Sequence, residues 1–396
     1  MTSVAQPATP ATTDASASAE AAARLTKLLE ENSAFSFLRL GDGELRMLLA
    51  HQNQESVPTH PDLRPSCEIA YGSPGLARQH GARLLRSYEE CSFLDLYGEL
   101  PYNRANLPRL RWTRAANTLG TASSSETGLV FSWVFHELRR YLAAHRCVVC
   151  GAEASLLREL HSEPAFRTLA APYWPENAAV SFLQPRGDGA RLAEDLDRIK
   201  DDLREAVRAQ RADTLFLSLG GGAKILAHEL AQELGIRTID FGSALRALTY
   251  SGSDGQASWR APHHPFLLRV PLDLFFGALR RAHPTLSTPV LLAKAHAQLC
   301  LELQRKELLQ SCTSDANDPS VFDPSPENLR HFGESFRYYR SKIEPLARGD
   351  ADAEALAREF RVWRRKKGLG LDGRLFRLGV AAKGALRRAG LISNAP

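Results

Sequence analysis

Long hydrophobic runs are missing from this sequence of 396 residues. Its most apolar stretch, residues 265–279, is shorter than the roughly 20 residues of a membrane-spanning helix and contains Arg269, Pro271 and Asp273. The first 23 residues contain no lysine, no arginine and no apolar core, so we expect neither a signal peptide nor a transit peptide there. The sequence therefore predicts a chain without a transmembrane helix.

Cysteine is scarce and shows no framework spacing, which favours free thiols in a reducing compartment. The six cysteines are Cys67, Cys91, Cys147, Cys150, Cys300 and Cys312. Cys147 and Cys150 form a C-x-x-C, but they lie within the apolar segment RCVVCG and no second pair accompanies them. We interpret them as core residues of a strand rather than as zinc ligands.

The remaining composition is that of an ordinary globular protein, with 44% apolar and 24% charged residues. We predict three regions. Residues 1–18, rich in alanine, threonine, serine and proline, form a disordered tail. Residues 19–250 alternate strand and helix patterns and form an α/β domain, and residues 251–396 form an α-helical C-terminal appendage.

A first informative stretch, residues 35–49, reads as a buried strand, an acidic turn and the start of a helix. Gly41 and Gly43 bracket the turn, and Asp42 and Glu44 supply two carboxylates one residue apart. At the carboxyl end of a strand such a pair can hold Mg²⁺ or Mn²⁺ beside a diphosphate. Alternatively, Asp42 caps the helix and Glu44 interacts with its dipole. The residues alone leave both interpretations open.

A second stretch, residues 214–242, reads as a complete β-α-β unit. Its first turn consists of three consecutive glycines, Gly220, Gly221 and Gly222. A glycine turn that opens a helix presents backbone N–H groups to a phosphate, and Asp240, at the end of the next strand, suits a ribose diol. The dinucleotide fingerprint is incomplete, because Lys224 and Ile225 stand where its last glycines belong. The pattern therefore also fits a plain packing unit.

Residues 37–44, FLRLGDGE, resemble the opening motif R-F-G-D-G-E of the bacterial GT-D fold glycosyltransferases. In that family the Asp-x-Glu pair belongs to the nucleotide-sugar and metal site. The resemblance implies catalytic and metal-binding roles for Asp42 and Glu44. It also implies nucleotide-sugar contacts for Arg39, Gly41 and Gly43.

Residues 214–242 resemble the closing block of the same family, L-G-P-T-A-x-x-L-A-x-x-L…G…D-I-G-H. Gly-Gly-Gly-Ala replaces Gly-Pro-Thr-Ala, and Ser243 stands where the family has histidine. The resemblance extends the expected nucleotide-sugar site to Asp240 and to three glycines, Gly220, Gly221 and Gly222. The two blocks in this order predict a Rossmann-like, doubly wound, mostly parallel sheet of the GT-D type.

The implied activity is that of a glycosyltransferase that depends on a divalent metal, Mn or Mg. It transfers a sugar from a nucleotide-sugar donor, expected to be a UDP-sugar, to a glycan, glycoprotein or lipid-linked acceptor. Glu99 and Asp95 are candidate bases by position alone. Two alternatives remain: a non-catalytic nucleotide- or glycan-binding protein on the same fold, and another α/β nucleotide-dependent enzyme.

Two further segments are candidates for contact with substrates. Residues 51–75 form a long loop after the acidic turn and are a candidate lid. Residues 99–120, rich in arginine and aromatic groups, are a candidate acceptor or phosphate surface, or else a solvated loop.

The positive net charge of +5 comes from the C-terminal tail. Residues 361–396 carry ten basic residues and one acidic residue, whereas the rest carries 40 and 44. Apolar residues alternate with the basic ones over 361–388, which predicts binding to an anionic membrane surface from the cytoplasmic side. The alternative is a helix packed on the acidic body. We do not expect nucleic acid as a partner, because no binding motif is present.

Overall fold

A computed structural model describes most of the α/β region and part of the C-terminal region. The described residues are 12–53, 74–97, 101–115, 118–123, 128–185, 192–249, 268, 270–296, 299, 333–366, 378 and 382.

Seven parallel strands form one sheet in the order β3-β2-β1-β7-β6-β4-β5. The strands are β1 (Phe35–Leu40), β2 (Phe93–Leu96), β3 (Gly120–Ser123), β4 (Cys147–Gly151), β5 (Val180–Leu183), β6 (Thr214–Ser218) and β7 (Arg237–Asp240). The chain is therefore an α/β protein with a Rossmann-like parallel sheet.

Thirteen labelled helices surround the sheet within the described part of the chain. They are α1 (Thr12–Glu31), α2 (Asp42–Asn53), α3 (Pro74–Glu90), α4 (Pro101–Asn106), α5 (Gly128–His136), α6 (Leu138–Ala144), α7 (Ala154–His161), α8 (Pro164–Ala170), α9 (Leu192–Gln210), α10 (Gly221–Leu234), α11 (Ser243–Ala247), α12 (Leu272–Ala282) and α13 (Ala351–Lys366). Residues 288–296 are also helical, and short 3₁₀ and π turns lie at Leu107–Arg109, Tyr339–Ile343 and Glu344–Ala347.

The five inner strands are almost entirely buried, as the continuous apolar runs predict, whereas the edge strands β3 and β5 are only partly buried. Alternate residues of β1 belong to different apolar clusters: Phe35 and Phe37 pack with one, Leu38 and Leu40 with the other. Because side chains alternate along a strand, the two clusters lie on opposite faces of the sheet. The cluster with Leu38 includes α2, α3, α9 and α10, and the cluster with Phe35 includes α1, α5, α7 and α12. The sheet is thus doubly wound.

The C-x-x-C cysteines separate in the same way. Cys147 faces the cluster of Phe35 and Cys150 faces the cluster of Leu38, and both are free and buried. Their position in the core is as predicted. Three residues apart on a strand, the two thiols point to opposite faces and therefore do not converge on one zinc ion.

Some element boundaries differ from the prediction. Helix α1 begins at Thr12 and not near residue 19, so it overlaps the predicted disordered tail, because the segment is rich in alanine, the strongest helix former. Residues 99–120 were expected to be irregular, but they contain α4 and the start of the edge strand β3. Glu137, whose φ of −123° is not helical, separates α5 from α6.

The described C-terminal helices pack into the α/β domain and share its core. Phe275, Leu292, Tyr339 and Phe360 belong to the same apolar cluster as Trp133. Helix α12 lies against α7. The predicted appendage therefore contributes to the layer of helices on one face of the sheet.

Several predictions fall on residues outside the described ranges. They include most of the candidate lid and nearly all of the basic tail. Within the described part of the chain, no helix combines the length and apolar character needed to cross a bilayer.

Candidate functional site

Around the carboxyl end of β7, the helices that follow neighbouring strands pack on opposite faces of the sheet. The helices that follow β1 and β6, its two neighbours, pack on the Leu38 face through residues such as Leu45 and Ile225. The helix that follows β7 packs on the Phe35 face through Ala244 and Leu245. Such a divergence opens a crevice at the carboxyl ends of the strands, which is where open α/β sheets bind ligands.

Arg39 and Asp240 lie at the carboxyl ends of β1 and β7, where this crevice opens. Arg39 lies near the end of β1 and Asp240 ends β7. The guanidinium donates from Nε to Oδ2 at 3.1 Å and from Nη2 to Oδ1 at 3.2 Å, a bidentate pair. Its third nitrogen, Nη1, donates to the hydroxyl of Tyr97 at 3.0 Å. The pair thus connects the ends of two adjacent strands.

Lys224, in the first turn of α10, adds a second cation to this pair. Its ammonium lies 2.9 Å from Oε1 of Glu44 and 3.1 Å from Oδ2 of Asp240, and it donates to the carbonyl of Gly220 at 3.1 Å. These three acceptors use all three N–H bonds of the ammonium. Arg39, Asp240, Lys224 and Glu44 therefore form one buried ion cluster, which we call the strand-end cluster.

Glu44 serves two partners at once. One carboxylate oxygen binds Lys224, and the other, Oε2, accepts from the backbone N–H of Gly41 at 3.2 Å. A glutamate at the third helical position that bonds back to the residue before the helix is the second half of a capping box. We expected Asp42 to cap the helix. In the structure Glu44 makes the capping contact instead.

Asp42 differs from Glu44 in exposure. The side chain of Asp42 is 36% exposed, whereas that of Glu44 is 4% exposed. Partial burial raises the pKa of Asp42, and the nearby carboxylate of Glu44 raises it further. Arg46, one turn along α2, lies 3.9 Å from Asp42 and stacks on the ring of Tyr102 at 3.6 Å. Asp42 is thus the acidic residue of the motif that retains access to solvent.

The charges of the strand-end cluster stabilise one another. Burial by itself raises the pKa of Asp240, but the charges of Arg39 and Lys224 outweigh it and hold that pKa below its ordinary value. Burial lowers the pKa of Arg39, and Asp240 more than compensates, so the guanidinium stays charged. Both carboxylates have a cationic partner, which is the condition for burying charge without a large penalty.

Two glycines allow the backbone to pass close to the cluster. Gly220 and Gly242 have positive φ values of 55° and 49°, in a region that other residues rarely adopt. A Cβ on Gly242 would overlap the guanidinium of Arg39. Gly242 was not among the predicted site residues, although it lies two residues after β7 just as Gly220 lies two residues after β6.

Aromatic hydroxyls complete the surroundings of Arg39. The hydroxyl of Tyr88, on α3, donates to the carbonyl of Arg39 at 3.0 Å. Burial raises the pKa of both Tyr88 and Tyr97, so both hydroxyls remain protonated. Asn103 donates to the carbonyl of Tyr97 at 2.9 Å and thereby fixes the chain after β2.

The structure brings together residues from both predicted blocks. Arg39 and Glu44 come from the first, and Asp240 and Gly220 come from the second. Lys224 was noted only as a break in the glycine fingerprint. The sequence feature that could have indicated its role is a lysine on a helix face whose other residues are mostly apolar and buried.

Other predicted residues lie elsewhere or are otherwise engaged. Asp95 is fully buried and accepts from the backbone N–H of Leu129 near the start of α5 at 3.0 Å, which is a capping contact. Glu99 lies outside the described residues. In the candidate acceptor segment, Arg114 donates to the carbonyls of Tyr88 and Gly120 at 2.9 and 3.0 Å. Arg114 therefore connects the segment to α3 and β3 through backbone carbonyls.

The carboxylates of Asp42 and Glu44 do not fit a shared divalent cation in this arrangement. Both oxygens of Glu44 have partners, and an ammonium already lies between Glu44 and Asp240. Among the described residues, no group of three or more His, Cys, Asp and Glu side chains could hold a metal ion. A metal at Asp42 and Glu44 stays a prediction, and we derive no chemical step through it.

Comparisons with protein-family models, with curated proteins and with solved structures found no match to this chain. The functional assignment therefore depends on the two sequence blocks and on the geometry of the strand-end cluster.

Proposed function

We propose that the protein is a glycosyltransferase of the GT-D type that uses a nucleotide-sugar donor, with a UDP-sugar as the first candidate. The donor binds at the carboxyl ends of β1, β6 and β7. The acceptor is a glycan, a glycoprotein or a lipid-linked saccharide.

One observation carries the proposal: the two blocks that resemble this family meet in space. Arg39 and Glu44 lie about 200 positions from Asp240 in the sequence, yet Arg39 bonds Asp240 directly and Lys224 joins Glu44 to it. A plain packing unit would not need four buried charges at this position. Burying charges is costly, so such groups concentrate at functional sites.

The turns around the cluster suit a diphosphate. The turn at Gly220 opens α10, whose first N–H groups have no partner within the helix and carry its positive dipole end. An anion at this end is favoured by both effects. The strand-end cluster has two cations and two anions, so it holds the turns of β1, β6 and β7 in register without net charge.

The transfer itself joins the acceptor oxygen to the anomeric carbon of the donor sugar. The bond from that carbon to the diphosphate oxygen breaks, and its electron pair leaves with the nucleoside diphosphate. The proton of the acceptor hydroxyl passes to a base. Asp42 is the acid of the motif best placed to contact substrate, because its carboxylate is partly exposed and is not part of the ion cluster.

A screen of UDP-, GDP-, ADP-, dTDP- and CMP-sugars by thermal shift, each with and without Mn²⁺, tests the proposal. We expect one nucleotide class to raise the melting temperature. The stabilising donor should then be hydrolysed slowly without acceptor, since a transferase usually lets water replace the acceptor.

Asp42→Asn is the informative variant, and Asp201→Asn on the outer surface of α9, 69% exposed, is its matched control. We expect Asp42→Asn to lower hydrolysis at least about tenfold, or about 1.4 kcal/mol in barrier, with an unchanged melting temperature. Donor binding without hydrolysis in the native protein would indicate a non-catalytic binding protein. Failure of every nucleotide sugar to bind would reject the proposal.

A further inference from the structure

We infer that Lys224 is the resident cation of the strand-end cluster and takes the place that a divalent metal ion would occupy between Glu44 and Asp240. The native protein then holds no metal at this position. Replacing Lys224 with a neutral side chain would convert the position into a site for Mn²⁺ or Mg²⁺. Metal binding to the cluster can be measured without any sugar nucleotide.

The contacts of Lys224 resemble a coordination sphere made of oxygen atoms. Its ammonium contacts a carboxylate oxygen of Glu44, a carboxylate oxygen of Asp240 and the backbone carbonyl of Gly220, at 2.9 to 3.1 Å. Carboxylate and carbonyl oxygens are the ligands that hard divalent cations prefer. The lysine side chain is 4% exposed, so the position is shielded from water by the fold.

Charge balance explains why the two cations exclude one another. With Lys224 present, Arg39 and Lys224 balance Glu44 and Asp240, and a metal ion would add two uncompensated charges to a buried position. With Lys224 replaced, one negative charge is left over, which a divalent cation can offset. Burying a charge without a partner is strongly unfavourable, so the lysine disfavours the metal and its loss favours it.

A second lysine shows that two carboxylates alone do not define such a position. Lys200 on α9 contacts Glu229 at 3.0 Å and Glu233 at 3.2 Å, but it lies on the outer surface with 19% exposure. Water can replace Lys200 there, and the surrounding arginines Arg83 and Arg204 already satisfy both carboxylates. Lys200→Met is therefore the matched control for Lys224→Met.

The test measures Mn²⁺ binding to the full chain, by isothermal titration and by the melting temperature in Mn²⁺ against EDTA. We expect the native protein and Lys200→Met to show no Mn²⁺-dependent shift. Lys224→Met should melt lower than the native protein in EDTA. Mn²⁺ at about 100 times its Kd should then raise its melting temperature by about 3 °C.

The double variant Lys224→Met/Glu44→Gln separates metal binding from repair of a damaged fold. It removes one cation and one anion, so the remaining charges of Arg39 and Asp240 balance. We expect it to melt higher than Lys224→Met in EDTA and to show no response to Mn²⁺, because one of the two carboxylate ligands is gone.

Stoichiometric Mn²⁺ binding by the native protein that is lost in Glu44→Gln would overturn the inference and favour a metal at the Asp-x-Glu motif. The inference also fails if Lys224→Met gains no Mn²⁺ response. It equally fails if a Lys224→Met chain that is unfolded in EDTA stays unfolded in Mn²⁺. None of these results depends on whether a nucleotide sugar binds, so the proposed transferase activity is tested separately.

Discussion

Helix α10 carries two ion clusters built from the same kinds of residue but in different surroundings. At its first turn, Lys224 joins the strand-end cluster, in which Asp240 is fully buried and Glu44 and Lys224 are each 4% exposed. On its outer side, Glu229 and Glu233 contact basic residues of α3 and α9. One helix thus presents charge both to the interior and to water.

The difference between the clusters is one of dielectric surroundings and partner geometry. In the strand-end cluster every carboxylate oxygen has a partner, and the four side chains are at most 10% exposed. On the outer side, the basic side chains are 19–30% exposed, so water and salt screen their ion pairs more strongly. We therefore expect the buried cluster to set the geometry of the site and the outer cluster to contribute little to stability.

The largest effect is expected from Gly242→Ala. The new Cβ would overlap the guanidinium of Arg39, and the backbone would keep a positive φ. We expect a loss of more than about 4 kcal/mol in the free energy of unfolding, measured by urea titration. Gly235→Ala is the control, because Gly235 also has a positive φ but nothing lies within 4 Å of the position that a Cβ would take there. The control should lose only about 1–2 kcal/mol, and equal losses would contradict the steric account.

Asp240→Asn should have the next largest effect. The substitution preserves size but leaves Arg39 and Lys224 with only Glu44 as a buried counter-charge. Removing one partner of a buried ion pair costs about 3–5 kcal/mol. Urea unfolding measures the loss, and Asp201→Asn on the surface serves as the control. A loss below about 1 kcal/mol would mean that the cluster behaves like an exposed one.

Acid should remove the contribution of Asp240. Because its pKa is lower in the folded protein than the ordinary 3.8, its contribution to stability is present above about pH 4 and disappears as the pH falls through the folded value. The stability difference between the native protein and Asp240→Asn should therefore shrink below about pH 4. A difference that stays constant to lower pH would show that lost packing, not lost charge, causes the effect.

Lys200→Met should have the smallest effect. Its two ion pairs lie on the surface, where a pair contributes about 0–1 kcal/mol and less at high salt. Unfolding of this variant at low and at high salt measures the contribution. A loss as large as that of Asp240→Asn would remove the distinction between the two clusters.

The sequence predicted most of the central sheet, because buried parallel strands are continuous apolar runs and two glycine turns mark their ends. The β-α-β unit predicted over residues 214–242 is present as β6, α10 and β7. The edge strand β3 was missed because GTAS is short and contains no large apolar residue.

The position of the candidate site could be predicted from the sequence, but the ion pairs within it could not. Strand-end turns at Gly41 and Gly220 indicated the right edge of the sheet. That Arg39 contacts Asp240 follows from β1 lying beside β7, and this strand order depends on contacts between distant parts of the sequence. The role of Lys224 depends on the same order, since its partners come from two other elements.

Hydrogen–deuterium exchange with and without saturating UDP is the most direct test of the central claim, that the nucleotide binds at the ends of β1, β6 and β7. The account predicts slower exchange in residues 39–46, 218–225 and 239–246, and unchanged exchange in α9, which contributes Lys200 and Arg204 to the outer cluster. Protection confined to other parts of the chain, or no protection at concentrations that saturate binding, would contradict it.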